Sequence, residues 1–178
     1  MARLVVVSGP SGVGKTSVCA LLEKHEEFER VITATTRTPR GDEKHGEHYL
    51  FHADAEFESV RAAGGFLESA TVHGHRYGTP RAHVEEILAR GRHALLNIDV
   101  QGAAQIRDTG FACLLVFLSP PDFDTLEARL RGRGTDADKT VQDRLETARQ
   151  EYARRGEFDI EVINSDLSAA VKEIRSAL

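Results

Sequence analysis

The sequence is short of cysteine, of long apolar runs and of positive charge in excess, and each shortage narrows what the protein can be. Its only cysteines, Cys19 and Cys113, lie far apart within apolar patterns. That spacing argues against a disulfide framework or a thiolate metal site, and both are expected to be buried free thiols in a reducing compartment. No apolar run approaches the ~20 residues of a membrane span, and Leu4–Val7 is too short for the hydrophobic region of a signal peptide. A cytoplasmic, unprocessed protein with no membrane partner is expected. Lys and Arg number 23 against 28 Asp and Glu, a net charge of −5, so no general field grips nucleic acid. Any anion must be held by a local cluster. Internal repeats, low-complexity tracts and a linker between independent domains are also lacking.

What is present is an ordinary globular composition, 40% hydrophobic and 29% charged, in 178 residues that suit one domain with its own core. RLVVVS, ALLNID and CLLVFL read as buried strands, and EVIN as a shorter one. Near-continuous hydrophobicity in such runs fits a parallel sheet covered by helices on both faces. Helical spacing marks Lys15–His25, a helix with Val84, Ile87 and Leu88, one with Phe123, Leu126 and Leu130 ending at Gly132, one with Val141, Leu145, Ala148 and Tyr152, and a last from about Leu167 to Leu178. Thr79 and Pro80 suit the N-cap and first residue of the second of these, and Gly91 its terminator. Residues 33–79, with strand-like HYLF and FLESATV around a short helix near Ala55–Ala63, interrupt the alternation, as do residues 131–140. The expected architecture is a three-layer α/β fold with two insertions.

GPSGVGKTS, Gly9–Ser17, matches the phosphate-binding pattern G-x-x-x-x-G-K-[ST] between a predicted strand and a predicted helix. Backbone N–H groups of Gly9, Ser11, Gly12, Val13, Gly14 and their neighbours through Ser17 can face an anion, helped by the dipole of the following helix. Lys15 supplies a charge for the β- and γ-phosphates, and the Thr16 hydroxyl a ligand for Mg²⁺. The donor is thus ATP-like, while the reaction stays open, since GTPases, ATP-driven machines and kinases share this loop. No Asn-Lys-x-Asp tetrapeptide of the GTPase kind is obvious.

TTRTPRGDEKHGEHYLF, residues 35–51, supplies an acceptor grip: Arg37 and Arg40 flank Pro39, and their planar forks suit a phosphate monoester. Tyr49 can add a neutral donor. LESATVHGHRYGT supplies Glu68, Tyr77 and Thr79, and a carboxylate accepts well from the paired N–H groups of guanine while repelling the ring lone pair of adenine. Bland readings stand beside these. Thr79 suits a helix cap, Glu43 a solvated turn, and Arg144 a surface ion pair. His45, His48, His52, His73 and His75 lack zinc-type spacing with cysteine and read as exposed or neutral.

With these segments the chain resembles the guanylate kinase family, through the phosphate loop, TTRTPRGDEKHGEHYLF, FLESATVHGHRYGTP, NIDVQGA, RLRGRGTDADKTVQDRL and VINSDL, nearly its whole length. The resemblance implies the P-loop nucleoside-monophosphate-kinase fold as a single domain, with core 1–32, 80–130 and 151–178, a GMP-binding insertion 33–79 and a lid at about 131–150. It implies transfer of the γ-phosphoryl group of Mg²⁺-ATP to GMP, with dGMP a further candidate acceptor. Arg37, Arg40, Tyr49 and Tyr77 would hold the GMP phosphate, with Glu43 part of the same motif. Glu68, Thr79 and Thr33 would read the base. Asp99 would lie near base and metal, touching the metal indirectly. Arg133 and Arg144 would join Lys15 as catalytic groups over the ATP phosphates, and Asn164 would sit beside the adenine. Two positions depart from the family pattern: Asn97 where an acid is expected, and Asp42 where glycine is common. Rival readings are a kinase for another phosphorylated acceptor, such as a different nucleotide or a ribose bisphosphate, and a catalytically silent interaction module.

Overall fold

The computed structural model describes residues 1–72, 74–131 and 138–178, the last of these by side chain from 141 onward. In chain order its elements begin β1 (Leu4–Ser8), α1 (Lys15–Leu22), β2 (Phe28–Arg30), β3 (Ala34–Thr35), β4 (Leu50–Phe51), α2 (Asp54–Ala62), β5 (Phe66–Val72) and β6 (His75–Pro80). They continue α3 (Arg81–Ala89), β7 (His93–Asn97), α4 (Val100–Asp108), β8 (Cys113–Ser119), α5 (Phe123–Arg131), α6 (Asp138–Ala153), β9 (Ile160–Ile163) and α7 (Leu167–Ser176).

The main sheet runs β2-β7-β1-β8-β9 with every neighbouring pair parallel. The run LVVV explains the layering. Val5 and Val7 pack with Val18 and Leu22 of α1 and with Val171 and Ile174 of α7, while Leu4 and Val6 pack with Val84 and Ile87 of α3 and with Ala103 and Ile106 of α4. A strand apolar at every position is thus a period-2 strand with both faces buried. Central β1 lies between β7 and β8, so the sheet changes winding direction at its C-terminal edge, the place where open α/β sheets bind ligands.

The second sheet, β4-β3-β6-β5, is the interruption foreseen at 33–79. Its β5–β6 pair shifts register between Phe66↔Pro80 and Ser69↔Gly78, so Leu67 and Glu68 together face Thr79. That extra residue is a bulge, and bulges re-aim a side chain. Thr79 is therefore not the N-cap of α3, contrary to the expectation above. It lies in β6, fully buried, and the helix starts at Arg81 with Pro80 at the cap position. The hydroxyl that would have capped the helix goes to Glu68 instead. The expected end of α5 at Gly132 falls outside the described residues. Strands β2, β3 and β6 and helix α4 had no expectation. Cys19 is buried, which pushes its thiol up to about 12, whereas Cys113 is only half-buried, and both are free.

Candidate active site

Every strand that ends at the switch point delivers something to one crevice. After β1 comes the glycine loop, where Gly9 has φ 135° and Gly14 φ 103°. These left-handed angles suit glycine alone, and space is lacking too. A methyl on Gly9 would lie 2.3 Å from the Leu118 carbonyl oxygen, and one on Gly14 would lie 2.5 Å from the Asn164 amide nitrogen. Gly9→Ala therefore forces backbone against backbone. A cost of about 1–3 kcal/mol is expected, read as a drop in Tm of roughly 3–10 °C by calorimetry, with phosphate binding at the loop weakened.

Lys15 Nζ donates to the carbonyls of Gly9 at 2.5 Å and Pro10 at 3.1 Å, which folds its ammonium over the loop. Thr16 and Ser17 stand exposed on the first turn of α1, and Ser11 is exposed at the loop's crest. After β9, buried Asn164 donates from its side-chain amide to the Val13 carbonyl at 2.8 Å, and its own backbone N–H donates to Ser119 at 2.8 Å. Arg129 of α5 closes the same corner, donating to the carbonyls of Val13 at 3.3 Å and Asn164 at 3.2 Å. Gly12, Gly14, Ser17, Arg129, Asn164 and Leu167 line a groove there. Arg129 was missed in the sequence although it stands in RLRGRG, because nothing in that run distinguishes one arginine from another. Arg144 is half-buried on α6, and Arg133 lies outside the described residues.

After β7 comes Asp99, whose Oδ1 accepts from the Gly102 N–H at 2.8 Å and caps α4. Asn97, exposed at the strand's end, forms a wall shared by two cavities with Thr33 and Tyr49. The second of these, about 340 Å³, is lined by Thr33, Tyr49, Glu68, Tyr77, Asn97 and Asp99, among others. It brings together residues from β3's approach, both sheets and the core strand end. Asp42 is exposed in the turn and touches none of them in the described contacts.

Glu68 sits in the bulge, 6% exposed, and its Oε1 accepts from the Thr79 hydroxyl at 2.6 Å. Its Oε2 faces Gly102, where a methyl would stand 3.2 Å away. Burial, with the Asp99 charge nearby, raises the Glu68 carboxyl from the usual 4.5 to about 7, against the lowering pull of Thr79. This is an acceptor held half-ready: dry, oriented by one hydroxyl, and short of positive partners.

Arg37 is 6% exposed, and it is gripped by Glu43 in two prongs, Nη2 to Oε1 at 2.9 Å and Nη1 to Oε2 at 2.9 Å. Glu43 Oε2 also accepts from the Arg40 N–H at 2.8 Å. Glu43 is therefore no solvated turn residue; it orients the paired arginines, and it holds the Arg37 guanidinium firmly protonated, with Tyr77 helping. Tyr49 lies under Arg37, its ring centroid 5.4 Å from the guanidinium carbon, and 6.1 Å from the Tyr77 ring. Arg40 is exposed, as a side chain awaiting an anion would be. In the same segment His45 and His48 accept from the N–H groups of Phe51 and Lys44, each at 3.1 Å, and fasten the loop. His73 lies outside the described residues.

No group of three or more His, Cys, Asp or Glu side chains poised for a metal occurs among the described residues. The exposed Thr16 hydroxyl is an oxygen donor of the kind that suits a hard cation arriving with phosphates rather than one caged by protein. No described helix is long and apolar enough to cross a membrane.

A sheet edge that pairs a phosphate loop with a second cavity, ended by Glu68 and walled by the tyrosine that carries Arg37, defines a P-loop phosphotransferase for a phosphorylated acceptor. The family model for guanylate kinase matches residues 1–178. The chain is 48% identical over 175 residues to the guanylate kinase of Synechococcus sp. (strain CC9902), covering 98% of this chain and 94% of that one. It is 46% identical over 173 residues to the guanylate kinase of Streptomyces coelicolor, covering 97% and 88%. The crystal structure of guanylate kinase from Anaplasma phagocytophilum superimposes with a TM-score of 0.74 at 29% identity, covering 99% of this chain and 84% of that one. The chain belongs to the guanylate kinase family.

Proposed function

We propose that the crevice transfers the γ-phosphoryl group of ATP to GMP, giving ADP and GDP, with the donor on Gly9–Ser17 and the acceptor in the Glu68 cavity. The observation that carries this reading is a buried, Thr79-oriented carboxylate in a cavity whose wall includes Tyr49, the ring over which the Glu43-locked Arg37 lies. The carboxylate suits two adjacent N–H donors of guanine, with Thr33 and Thr79 beside it. Arg37, Arg40, Tyr49 and Tyr77 suit the monoester phosphate; dGMP fits the same contacts, none of which needs the 2′ hydroxyl.

An acceptor phosphate oxygen is already anionic and needs no strong base. It bonds to the γ-phosphorus as the bond to the β,γ-bridging oxygen breaks, and that oxygen leaves on ADP. The chain's task is alignment and charge neutralisation. Arg37 and Arg40 fix the acceptor, while Lys15 and the loop amides meet the charge of the transferring group. Arg144 is assigned to the same side on the resemblance, as is Arg133. Asn164 and Arg129 frame the groove for the adenine end. The divalent cation that accompanies ATP, Mg²⁺ in our reading, neutralises phosphate charge when bound, with Thr16 as its hydroxyl ligand and Asp99 indirect. Residues 33–79 form the acceptor-binding unit of one domain, in a protein we assign to the cytoplasm.

Initial rates of ADP release with GMP, AMP, CMP and UMP test the reading. A preference for GMP of at least about 10³-fold in kcat/KM over AMP is expected, because Glu68 faces an unprotonated ring nitrogen in adenine. A preference for AMP would overturn the role given to Glu68, and no turnover with any acceptor would favour the interaction-module reading.

A further inference from the structure

The bulge that carries Glu68 interrupts the ladder of β5, and β5 is the end strand of its sheet, paired with β6 on one side. Its other side meets α4, a helix of the core. Two residues of α4, Gly102 and Gln105, stand three apart on one helical face, and both bear on the bulge. Gly102 is buried, and its missing side chain leaves room for the carboxylate: a methyl there would lie 3.2 Å from Glu68 Oε2 and 3.1 Å from Ile98 Cδ1. The Asp99 cap on the Gly102 N–H, at 2.8 Å, fixes that turn. One turn on, Gln105 Oε1 accepts at 3.1 Å from the Ser69 N–H, which belongs to the peptide joining Glu68 to Ser69. Ala103 and Ile106 are buried in the core and anchor the helix that makes both contacts. Helix α4 thus meets the acceptor carboxylate at its second oxygen and holds the peptide unit that follows it.

We infer that Gln105 is a positioning residue for base selection: by holding the Ser69 N–H it ties the bulge to a core helix and fixes the aim of the Glu68 carboxylate at guanine. The inference rests on the reading that Glu68 meets the paired N–H groups of that base. Gln105 acts through the backbone and has no role at the reacting atoms. A bulged segment on an end strand has few hydrogen bonds of its own to hold it, and a recognition group is only as well aimed as the residues that support it. Gln105 is exposed, so in a purely structural role water would take its place at the Ser69 N–H with little consequence. What water does not supply is a fixed point on a rigid element, and the loss of that point is felt in selectivity.

Gln105→Met keeps the length of the side chain and removes the acceptor. The readout is the ratio of kcat/KM for GMP to that for IMP, which is GMP without its exocyclic amino group. IMP offers the carboxylate one N–H where guanine offers two, so the ratio reports how Glu68 is aimed, and it does not change with the fraction of enzyme folded. The parent should favour GMP by about 10²-fold or more. In Gln105→Met that ratio is expected to fall about tenfold, chiefly through a higher KM for GMP, with kcat within about twofold. Gln105→Glu keeps an oxygen for the Ser69 N–H and should hold the ratio within about twofold of the parent. In a Glu68→Gln background Gln105→Met should lower the ratio no further, because a residue that acts through another is not additive with it. A ratio in Gln105→Met within about twofold of the parent would overturn the proposal. So would a fall that Gln105→Glu shares, or one that persists in the Glu68→Gln background. If the parent itself does not favour GMP over IMP, the reading of Glu68 fails; if it does and Gln105→Met leaves the ratio unchanged, only the role of Gln105 fails.

Discussion

Lys15→Ala is expected to lower turnover by about 10³-fold or more while leaving GMP affinity within about twofold. The ammonium is the one side-chain charge the glycine loop itself provides, and in the structure it lies over the loop, on the Gly9 and Pro10 carbonyls. Charge that develops on a transferring phosphoryl group in a dry crevice is worth far more than the same charge in water, so a missing cation is felt chiefly in rate. In the proposed function GMP is assigned to Arg37, Arg40, Tyr49, Tyr77 and Glu68, none of which lies on the loop. Calorimetric titration of the variant with GMP, beside its initial rate with saturating ATP, checks both halves. Loss of GMP binding together with turnover would contradict two separate anion sites.

The second large effect belongs to Glu68. Substitution Glu68→Gln replaces an acceptor carboxylate by an amide that presents N–H to N–H on one side of guanine, and kcat/KM for GMP is expected to drop by about 10³-fold or more. Its pH signature is sharper. The folded carboxyl titrates at about 7, raised by burial and by Asp99, whereas its usual value is 4.5. Guanine donors require the ionised form, so GMP affinity should weaken by close to tenfold per pH unit below about 7. The second ionisation of a phosphate ester near pH ~6 affects parent and variant alike, and Glu68→Gln should retain only that part. Stability runs the other way. A folded value above the unfolded one means the stabilising contribution is complete below 4.5 and is lost as pH rises through about 7. At pH ~8 the empty site therefore carries a burden on the order of 3 kcal/mol, and Glu68→Gln should melt several degrees higher there than the parent. At pH ~5 that advantage should shrink. A variant less stable than the parent at both pH values would show that the carboxylate is satisfied by partners other than Thr79.

Legibility in the sequence followed the physics of each feature. The buried strands LVVVS and CLLVFLS were visible because a run apolar at every position has only a buried place to go. The glycine loop was visible because its residue types and spacing are demanded by the anion it cradles. The small strands were harder: β2 and β3 are three and two residues long and carry no periodicity of their own. Helix α4, VQGAAQIRD, was missed because its buried side is made of Val, Gly, Ala and Ile between polar residues, a weak stripe. Thr79 shows a different limit. Thr-Pro before a helical pattern is a good cap signal, and only the pairing of β5 with β6 reveals that its hydroxyl is turned toward a bulged glutamate. Glu43 teaches the same lesson, since a charge in a polar run looks solvated until its pairing with a buried arginine is known. Asn97 was flagged by comparison with the family pattern, and its place on the wall between two cavities makes that departure physically consequential.

The most direct test of the whole is to follow the phosphorus. A ³¹P NMR time course with ATP, a divalent cation and equimolar GMP and AMP should show ADP and GDP appearing in equal amounts, AMP untouched, and inorganic phosphate absent until GMP is spent. ADP accumulating with inorganic phosphate and without GDP would mean that water, not GMP, receives the phosphoryl group, and the acceptor site built from Arg37, Arg40 and Glu68 would have to be abandoned.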